Sequence, residues 1–141
     1  MYTYEYPRPM VTVDMVVIRK QDKQTEILLI ERGNEPFKNH WALPGGFIEM
    51  EETIEASAYR ELQEETSITE IKLKTLRTYG DPGRDPRGRT VSIVFGGILK
   101  SNQQAIAGDD AAKAEWFPVN KLPELAFDHG NIVKESLDLL L

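Results

Sequence analysis

The 141-residue chain has the length of one domain, with 40% hydrophobic residues, 28% charged residues and a formal net charge of -6. This composition predicts a folded core, and it excludes a chain that is disordered throughout. The absence of cysteine excludes disulfide bridges and thiolate metal sites. Residues 1–18 lack the basic and apolar regions of a signal peptide, and no apolar run approaches the roughly 18–20 residues of a membrane helix. We therefore expect a single domain over residues 1–141 that lies in the cytoplasm and contacts no membrane.

The first half of the chain predicts two strands, a glycine loop and a helix. Residues 11–18 and 26–32 are β-branched and apolar, and the polar segment between them is typical of a hairpin loop. The sequence LPGGFIE, residues 43–49, predicts a Pro-Gly-Gly loop that enters a short strand. A helix is expected from residue 53 to about residue 66, with Thr53 as its N-cap.

The second half predicts three further strands and a second helix. Strands are expected at residues 73–80 and 90–99, separated by an arginine-containing loop, with a shorter strand at 114–119. Because strands and helices do not alternate regularly, a doubly wound parallel sheet is not expected. The predicted fold class is α/β, an α/β/α sandwich with a mixed β-sheet between helices. The second helix spans residues 131–141, and its predicted apolar face carries Val133, Leu137, Leu140 and Leu141.

The negative charge is concentrated in one segment. Residues 49–70 contain eight glutamates and one cation, Arg60, whereas the rest of the chain contains 16 lysines and arginines against 15 acidic residues. On the predicted helix, Glu61, Glu64 and Glu65 are spaced i, i+3 and i+4, so their side chains emerge on one face. Like charges at this spacing destabilise an isolated helix by about 0.2–0.5 kcal/mol per pair. A bound cation would reverse that repulsion, and clustered carboxylates suit hard, oxygen-preferring ions such as Mg²⁺ or Mn²⁺.

These glutamates belong to a longer pattern, GFIEMEETIEASAYRELQEETSI, which begins at Gly46. The pattern resembles the Nudix box, G-x5-E-x7-R-E-U-x-E-E-x-G-U, in which U is apolar. One defined position departs from the family, because Ser67 stands where the family has glycine. That glycine ends the helix in a left-handed conformation, which serine adopts at a cost of about 1 kcal/mol. The matched positions are Gly46, Glu52, Arg60, Glu61, Leu62, Glu64, Glu65 and Ile68.

The resemblance implies which residues bind metal. Glu61, Glu64 and Glu65 would be the carboxylate ligands, and Glu64 would also be required for catalysis. The carbonyl of Gly45 or Gly46 would lie beside them. A helix with several glutamates is also typical of a solvated surface, but the full spacing from Gly46 onward favours the metal site.

The resemblance also implies residues that support the metal ligands. Arg60 would orient the glutamates, and Glu52 would pair with Arg60 or bridge to the metal. In this family a further acid outside the box often acts as a base or an extra ligand. Glu115 is the candidate for that role, with Asp109 and Asp110 behind it.

The loop GDPGRDPRGR, residues 80–89, has two interpretations. It is either a Gly/Pro-rich turn with solvated arginines or a loop that contacts phosphate and ribose, since guanidinium groups bind phosphate oxygens bidentately. It resembles the corresponding loop of ADP-ribose pyrophosphatases in the Nudix superfamily. Residues 107–111 and 125–133 resemble those enzymes and the ADP-ribose-sensing Nudix domains of some bacterial regulators. The candidates for holding the diphosphate or terminal ribose are Arg84, Arg87 and Arg89.

Together these resemblances imply a Mg²⁺-dependent hydrolase, with Mn²⁺ as an alternative ion, that cleaves ADP-ribose to AMP and ribose 5-phosphate. They also imply that the protein forms a homodimer. Its ligand would be a small-molecule nucleotide and not a nucleic acid. Three alternatives stay open: hydrolysis of a nucleoside triphosphate, dinucleotide or sugar nucleotide; a non-catalytic ADP-ribose sensor; and an acidic interaction module. Such sensors carry a DNA-binding winged helix after the Nudix domain. Because the sequence ends at Leu141 and its three core glutamates are intact, we expect an enzyme.

Overall fold

A mixed β-sheet with a helix packed against each face makes up the part of the chain that this computed structural model describes, residues 1–108 and 110–141. The sheet order is β3-β2-β1-β6-β5, with β4 paired to β1 and β7 paired to β2. The pairing of β1 with β6 is parallel, and the other pairings are antiparallel. The predicted α/β sandwich with a mixed sheet is therefore confirmed. The elements are β1 Met10–Gln21, β2 Gln24–Arg32, β3 Trp41–Ala42, β4 Gly45–Phe47, α1 Ile54–Thr66, β5 Lys74–Tyr79, β6 Thr90–Ile98, β7 Ala111–Pro118 and α2 His129–Leu140.

Side-chain alternation along β1 divides the core into two layers. Met15 and Val17 are fully buried on the face covered by α1, in one cluster with Leu62. Val16 points to the opposite face and packs in a second cluster with Ile132 of α2. Successive side chains of a strand point to opposite faces, so a strand apolar at every position is buried on both sides. This explains why residues 13–18 of β1 are apolar except for Asp14.

The strands β1 and β2 form a fork. They pair over residues 18–21 and 24–27, next to the turn that joins them. Further from the turn, residues 12–14 of β1 pair with β4, and residues 30–31 of β2 pair with β3. The short strands β3 and β4 therefore fill the space into which β1 and β2 diverge.

The turn between β1 and β2 is tighter than the sequence predicts. Asp22 and Lys23 both have positive φ angles, 52° and 66°, as a two-residue hairpin turn requires. The predicted loop over residues 19–25 is therefore too long, because the strands continue through Gln21 and resume at Gln24. The polar residues there extend beyond the core, where a strand needs no apolar side chains.

Both ends of α1 match the prediction from sequence. The Thr53 side chain accepts a hydrogen bond from the Ala56 N–H at 3.1 Å, which confirms it as the N-cap. Ser67 ends the helix with φ 65°, and its N–H donates to the Gln63 carbonyl at 2.9 Å. The Ser67 hydroxyl also donates to the Ile106 carbonyl at 3.2 Å, which connects the helix end to the loop before β7.

The helix α2 packs through the predicted face, with one exception. Ile132 and Val133 are fully buried, and Leu137 and Leu140 pack against them partly buried. Leu141 is 60% exposed, so its assignment to the buried face is wrong, since it lies beyond the last helical turn. Neither α1 nor α2, the helices of the described residues, is long and apolar enough to cross a membrane.

Candidate active site

A cavity of about 480 Å³ opens at the fork between β1 and β2. The end of β2, the strand β4, the helix α1, the loop over residues 80–89 and the start of α2 all contribute to its lining. The structure therefore brings together segments that are distant in sequence. Six of the predicted metal-site residues line the cavity: Gly45, Gly46, Arg60, Glu61, Glu64 and Glu65.

Arg60 organises the carboxylates on α1. It donates to Glu52 at 2.8 Å through both Nε and Nη2, which makes a bidentate pair. It also donates to Glu61 at 2.8 Å and to Glu64 at 3.2 Å. Hydrogen bonds from Arg60, and then from Ser57, lower the pKa of Glu52 to about 2. One arginine therefore contacts three carboxylates at once.

The two glycines of the LPGG segment allow the backbone to approach the glutamates. The Gly45 N–H donates to Glu65 at 2.7 Å. A Cβ atom on Gly46 would lie 2.5 Å from the Glu61 carboxylate, and one on Gly45 would lie 2.2 Å from the Val13 carbonyl. Both distances are too short for any side chain. Glycine is required at Gly45 because backbone of the neighbouring strand occupies the space, whereas a side chain at Gly46 would displace the Glu61 carboxylate.

Glu65 differs from its neighbours on α1 because it is buried, with 7% of its surface exposed. Burial is the largest influence on this carboxyl and raises its pKa to about 8. The charges of Glu61 and Asp14 act in the same direction, whereas the hydrogen bond from Gly45 opposes them. Without a cation, Glu65 is thus protonated in a large fraction of molecules at neutral pH.

The donor set at this wall suits a hard divalent ion. Glu61, Glu64 and Glu65 offer carboxylate oxygens beside the backbone of Gly46, and Mg²⁺ and Mn²⁺ prefer oxygen ligands. Within residues 1–108 and 110–141, no three acidic or histidine side chains converge closely enough to hold an ion as they stand. They are held instead by Arg60 and by the Gly45 N–H. Metal binding therefore requires the carboxylates to exchange some of these hydrogen bonds for metal contacts.

Asp14 and His129 form the floor of the cavity. Ser92 donates its hydroxyl proton to Asp14, and the Leu43 N–H donates to Nδ1 of His129 at 3.0 Å. Burial lowers the pKa of His129, so its ring is neutral and accepts this hydrogen bond. Its Nε2 lies 3.8 Å from Asp14. His129 thereby fixes the LPGG segment to the start of α2.

Arg84 is anchored to other residues of the protein. Its guanidinium donates to both carboxylate oxygens of Asp128, at 2.8 and 2.7 Å, and to the Thr90 carbonyl at 3.4 Å. Only 6% of the side chain is exposed. Although Arg84 lines the cavity, its donors are directed to the protein, and the pair joins the arginine loop to the N-cap of α2.

Arg87 and Arg89 occupy different environments. Arg87 pairs with Asp85 at 2.8 Å and lies 4.9 and 5.3 Å from the ring centres of Phe47 and Phe127, inside the cavity. Burial acts to raise the pKa of Asp85, but hydrogen bonds from Arg87 hold that pKa below its usual value. Arg89 is exposed and donates to a backbone carbonyl at 3.1 Å. Among the described residues, Arg89 does not belong to the cavity lining.

The structure does not bring Glu115 to the cavity. Glu115 is exposed on β7, where it pairs with Leu29 of β2, and it is absent from the described lining. Asp110 does line the cavity and accepts a hydrogen bond from Asn34 at 3.3 Å. Asp109 lies outside the described residues. Glu115 is therefore not retained as an acid of the site.

Sequence reasoning missed Arg32, Asp14 and Phe127, all of which line the cavity. Arg32 ends β2, its Nε donates to the Pro36 carbonyl at 2.7 Å, and its guanidinium lies 5.0 Å from the Phe127 ring centre. A lone arginine at the end of a strand carries no distinctive signal. Asp14 did carry one, because an acid inside an otherwise apolar strand is costly unless it is hydrogen-bonded.

Comparison with known proteins identifies the family. The NUDIX domain model matches residues 8–136. The ADP-ribose pyrophosphatase of Methanocaldococcus jannaschii is 47% identical over 137 residues, which cover 94% of this chain and 75% of that protein. The ADPR responsive transcriptional repressor NtrR of Acinetobacter baylyi is 36% identical over 138 residues, 94% of this chain and 54% of that protein.

A solved structure agrees with these matches. The NUDIX domain of Shewanella oneidensis NrtR, cocrystallised with ADP ribose, superposes with a TM-score of 0.88 at 32% identity. The superposition covers 96% of this chain and 91% of that one. Since the family model spans nearly the whole chain and the box residues meet in one cavity, the chain belongs to the Nudix family.

Proposed function

We propose that this Nudix pyrophosphohydrolase cleaves ADP-ribose to AMP and ribose 5-phosphate, with Mg²⁺ as the cation and Mn²⁺ as an alternative. One observation carries the proposal: a single cavity combines the carboxylates of α1 with the guanidinium groups of Arg32 and Arg87. The carboxylates suit a divalent ion, and the guanidinium groups suit phosphate oxygens. The 47% identity to an ADP-ribose pyrophosphatase supports ADP-ribose as the substrate.

Glu61, Glu64 and Glu65 would hold the cation, beside the carbonyl of Gly45 or Gly46. When bound, such an ion neutralises diphosphate charge and lowers the pKa of an attacking water. The oxygen-only donor set and the side-chain-free backbone at Gly46 fit this role.

The remaining residues of the site position these groups. Arg60 keeps Glu61 and Glu64 on the cavity side of α1, and its bidentate pair with Glu52 fixes Arg60 itself. Holding reacting groups in a productive orientation lowers the entropic part of the barrier. Glu52 does not line the described cavity, so we assign it a positioning role.

The test is a substrate panel with Mg²⁺, in which ADP-ribose is compared with ATP, dGTP, NADH and a sugar nucleotide by chromatography. AMP released from ADP-ribose in clear preference to the other compounds is the expected result. Removal of the metal by EDTA should abolish turnover, and Mg²⁺ should raise the melting temperature because it binds the folded state. Preferred turnover of another compound would support the hydrolase activity and would reject ADP-ribose as the preferred substrate.

A second candidate function is ADP-ribose sensing without hydrolysis. It is favoured by the similarity to an ADPR responsive repressor and to a NUDIX domain cocrystallised with ADP ribose. The chain spans about half of that repressor, so the activity of the whole relative is not transferred here. Tight ADP-ribose binding by a protein that turns over none of the panel would favour the sensor.

We also propose a homodimer. Tyr2, Tyr4 and Tyr6 are exposed in the N-terminal segment, which adds apolar surface outside the domain core. Light scattering on the purified protein tests this proposal, with a molecular mass near twice the 16.1 kDa of one chain as the expected value.

A further inference from the structure

The last turn of α1 carries two of the proposed metal ligands at the negative end of the helix. The final carbonyl groups of a helix have no partner within it, and the aligned peptide dipoles give this end a partial negative charge. Glu64 and Glu65 lie in this turn, which contains no basic residue. Two acidic side chains and the helix dipole thus place like charges together, so the turn is stabilised by hydrogen-bond donors from outside α1.

A strap, residues 103–108, supplies these donors. The Ile106 N–H donates to the Thr66 carbonyl at 2.8 Å, and the Gly108 N–H donates to the Glu65 carbonyl at 3.3 Å. Backbone N–H groups can take the place of a basic side chain here, because they present a partial positive charge to the same carbonyl groups. The strap therefore lies along the end of α1 and satisfies the carbonyl groups of its last two residues.

The Gln103 side chain holds the start of the strap. Its Oε1 accepts hydrogen bonds from the Thr69 N–H at 2.7 Å and from the Thr69 hydroxyl at 3.3 Å. Its Nε2 donates to the Thr69 carbonyl and, at 2.8 Å, to the Ser101 hydroxyl. The strap is therefore fixed at its start as well as along α1.

Gly108 brings the strap close to the backbone of α1. A Cβ atom at this position would lie 2.4 Å from the Glu64 carbonyl oxygen, so a side chain requires the strap or the helix to move. The Ala111 N–H donates to the Gly108 carbonyl, and the Gly33 N–H donates to the Asp110 carbonyl, both at 3.1 Å. The backbone that caps α1 thus also contacts the residue after β2, and it joins two walls of the cavity.

We infer that the strap is a positioning element of the metal site and that Gly108 fixes the position of Glu64 and Glu65. Mg²⁺ requires near-ideal octahedral geometry, so a displaced ligand weakens its binding. Groups that hold metal ligands in place typically contribute about 10–100-fold to metal affinity. The inference deepens the proposed function and rests on it for the identity of the ligands.

The experiment measures Mn²⁺ binding without substrate, from the decrease in the electron paramagnetic resonance signal of the free ion. Wild-type protein is compared with Gly108→Ala and with the matched control Gly130→Ala, because a Cβ atom at Gly130 meets nothing within 4 Å. We expect the Mn²⁺ affinity to fall at least about tenfold in Gly108→Ala. No change is expected in Gly130→Ala.

A variant in the other core layer separates positioning from a general loss of stability. Ile132 is fully buried on α2, and Ile132→Val should lower the melting temperature without changing the Mn²⁺ affinity. An equal loss of affinity in Ile132→Val would assign the effect to stability and overturn the inference. In turnover assays, Gly108→Ala should require more Mg²⁺ for half of its maximal rate, and saturating Mg²⁺ should restore most of the wild-type rate.

A Mn²⁺ affinity in Gly108→Ala equal to that of wild type would also overturn the inference, and the proposed function would stand. If Gly108→Ala fails to fold, Gln103→Ala decides instead, because it releases the start of the strap and introduces no clash. A lower Mn²⁺ affinity in Gln103→Ala supports the inference, and an unchanged affinity rejects it. A protein that binds Mn²⁺ but turns over none of the substrate panel fails the proposed function and still tests the strap.

Discussion

The carboxylate side and the guanidinium side of the cavity are built in different ways. The carboxylates come from α1 and from Glu52 just before it, and Arg60 joins them through contacts one to eight residues apart. The guanidinium side combines the end of β2, the loop over residues 80–89 and Phe127. Its anchoring ion pair, Arg84 with Asp128, joins positions 44 residues apart. Local spacing in the sequence thus determines the positions of the carboxylates, whereas the sheet topology determines the positions of the guanidinium groups.

The largest effect should follow from a change on the carboxylate side. Glu64→Gln should reduce turnover at least about a hundredfold, because it removes a carboxylate that helps to hold the cation or transfer a proton. The measurement is steady-state turnover of the best substrate with Mg²⁺. Glu55→Gln is the matched control, because Glu55 is an exposed glutamate in the first turn of the same helix. Near-normal turnover in Glu64→Gln would remove Glu64 from the site.

Loss of the ion pair between Arg84 and Asp128 should change the stability of the protein and not primarily its turnover of substrate. Arg84→Gln should lower the free energy of unfolding by about 2 kcal/mol, somewhat less than for a fully buried pair, because Asp128 is left with an unpaired but partly exposed charge. Urea denaturation measures this loss. Arg89→Gln should stay within about 0.5 kcal/mol of wild type, as for most surface substitutions. Equal stability of the two variants would mean that Arg84 does not anchor the loop.

The hydrogen-bonded pair of Arg60 and Glu52 should make the stability of the protein depend on pH in the acid range. The pKa of Glu52 is lowered from 4.5 to about 2 by hydrogen bonds from Arg60 and then Ser57. Its stabilising contribution is therefore complete above pH 4.5 and is lost as the pH falls towards 2. Melting temperatures across this range should fall more steeply for wild type than for Glu52→Gln. Parallel curves would show that the pair does not act on folding.

The smallest effect is expected at Ser67, where the end of α1 meets the loop that leads towards Asp110. Ser67→Gly should stabilise the protein by about 0.5 kcal/mol, because the relief of the left-handed strain exceeds the lost exposed hydrogen bond to Ile106. Ser67→Ala should destabilise it, since this variant keeps the strain and loses the hydrogen bond. Denaturation midpoints measure both. A less stable Ser67→Gly would show that the hydrogen bond dominates.

Local sequence signals predict both ends of α1, the helix that carries the carboxylates. The N-cap at Thr53 and the left-handed end at Ser67 follow from contacts within one helical turn, so the sequence carries them directly. The contacts of Arg32 could not be predicted, because they depend on where the Phe127 loop crosses the sheet. Glu115 illustrates the same limit. The resemblance makes it a candidate acid outside the box, but the register of β7 on β2 leaves it exposed.

At the fork between β1 and β2, the loop after β2 forms one wall of the cavity, whereas the carboxylates lie on another. The loop after β2 is closed at its base by backbone hydrogen bonds from Arg32 to His40 and from Asn39 to Arg32, both at 2.9 Å. Residues between these points can be inserted or exchanged without a change in strand register, since each doubling of a loop costs only about 0.6 kcal/mol. The segment from Gly45 to Glu65, which carries the carboxylates of the cavity, lies outside that loop. A residue inserted in this loop would therefore reshape the cavity wall at Gly33, Asn34 and Glu35 without moving the strands on which the cavity is built.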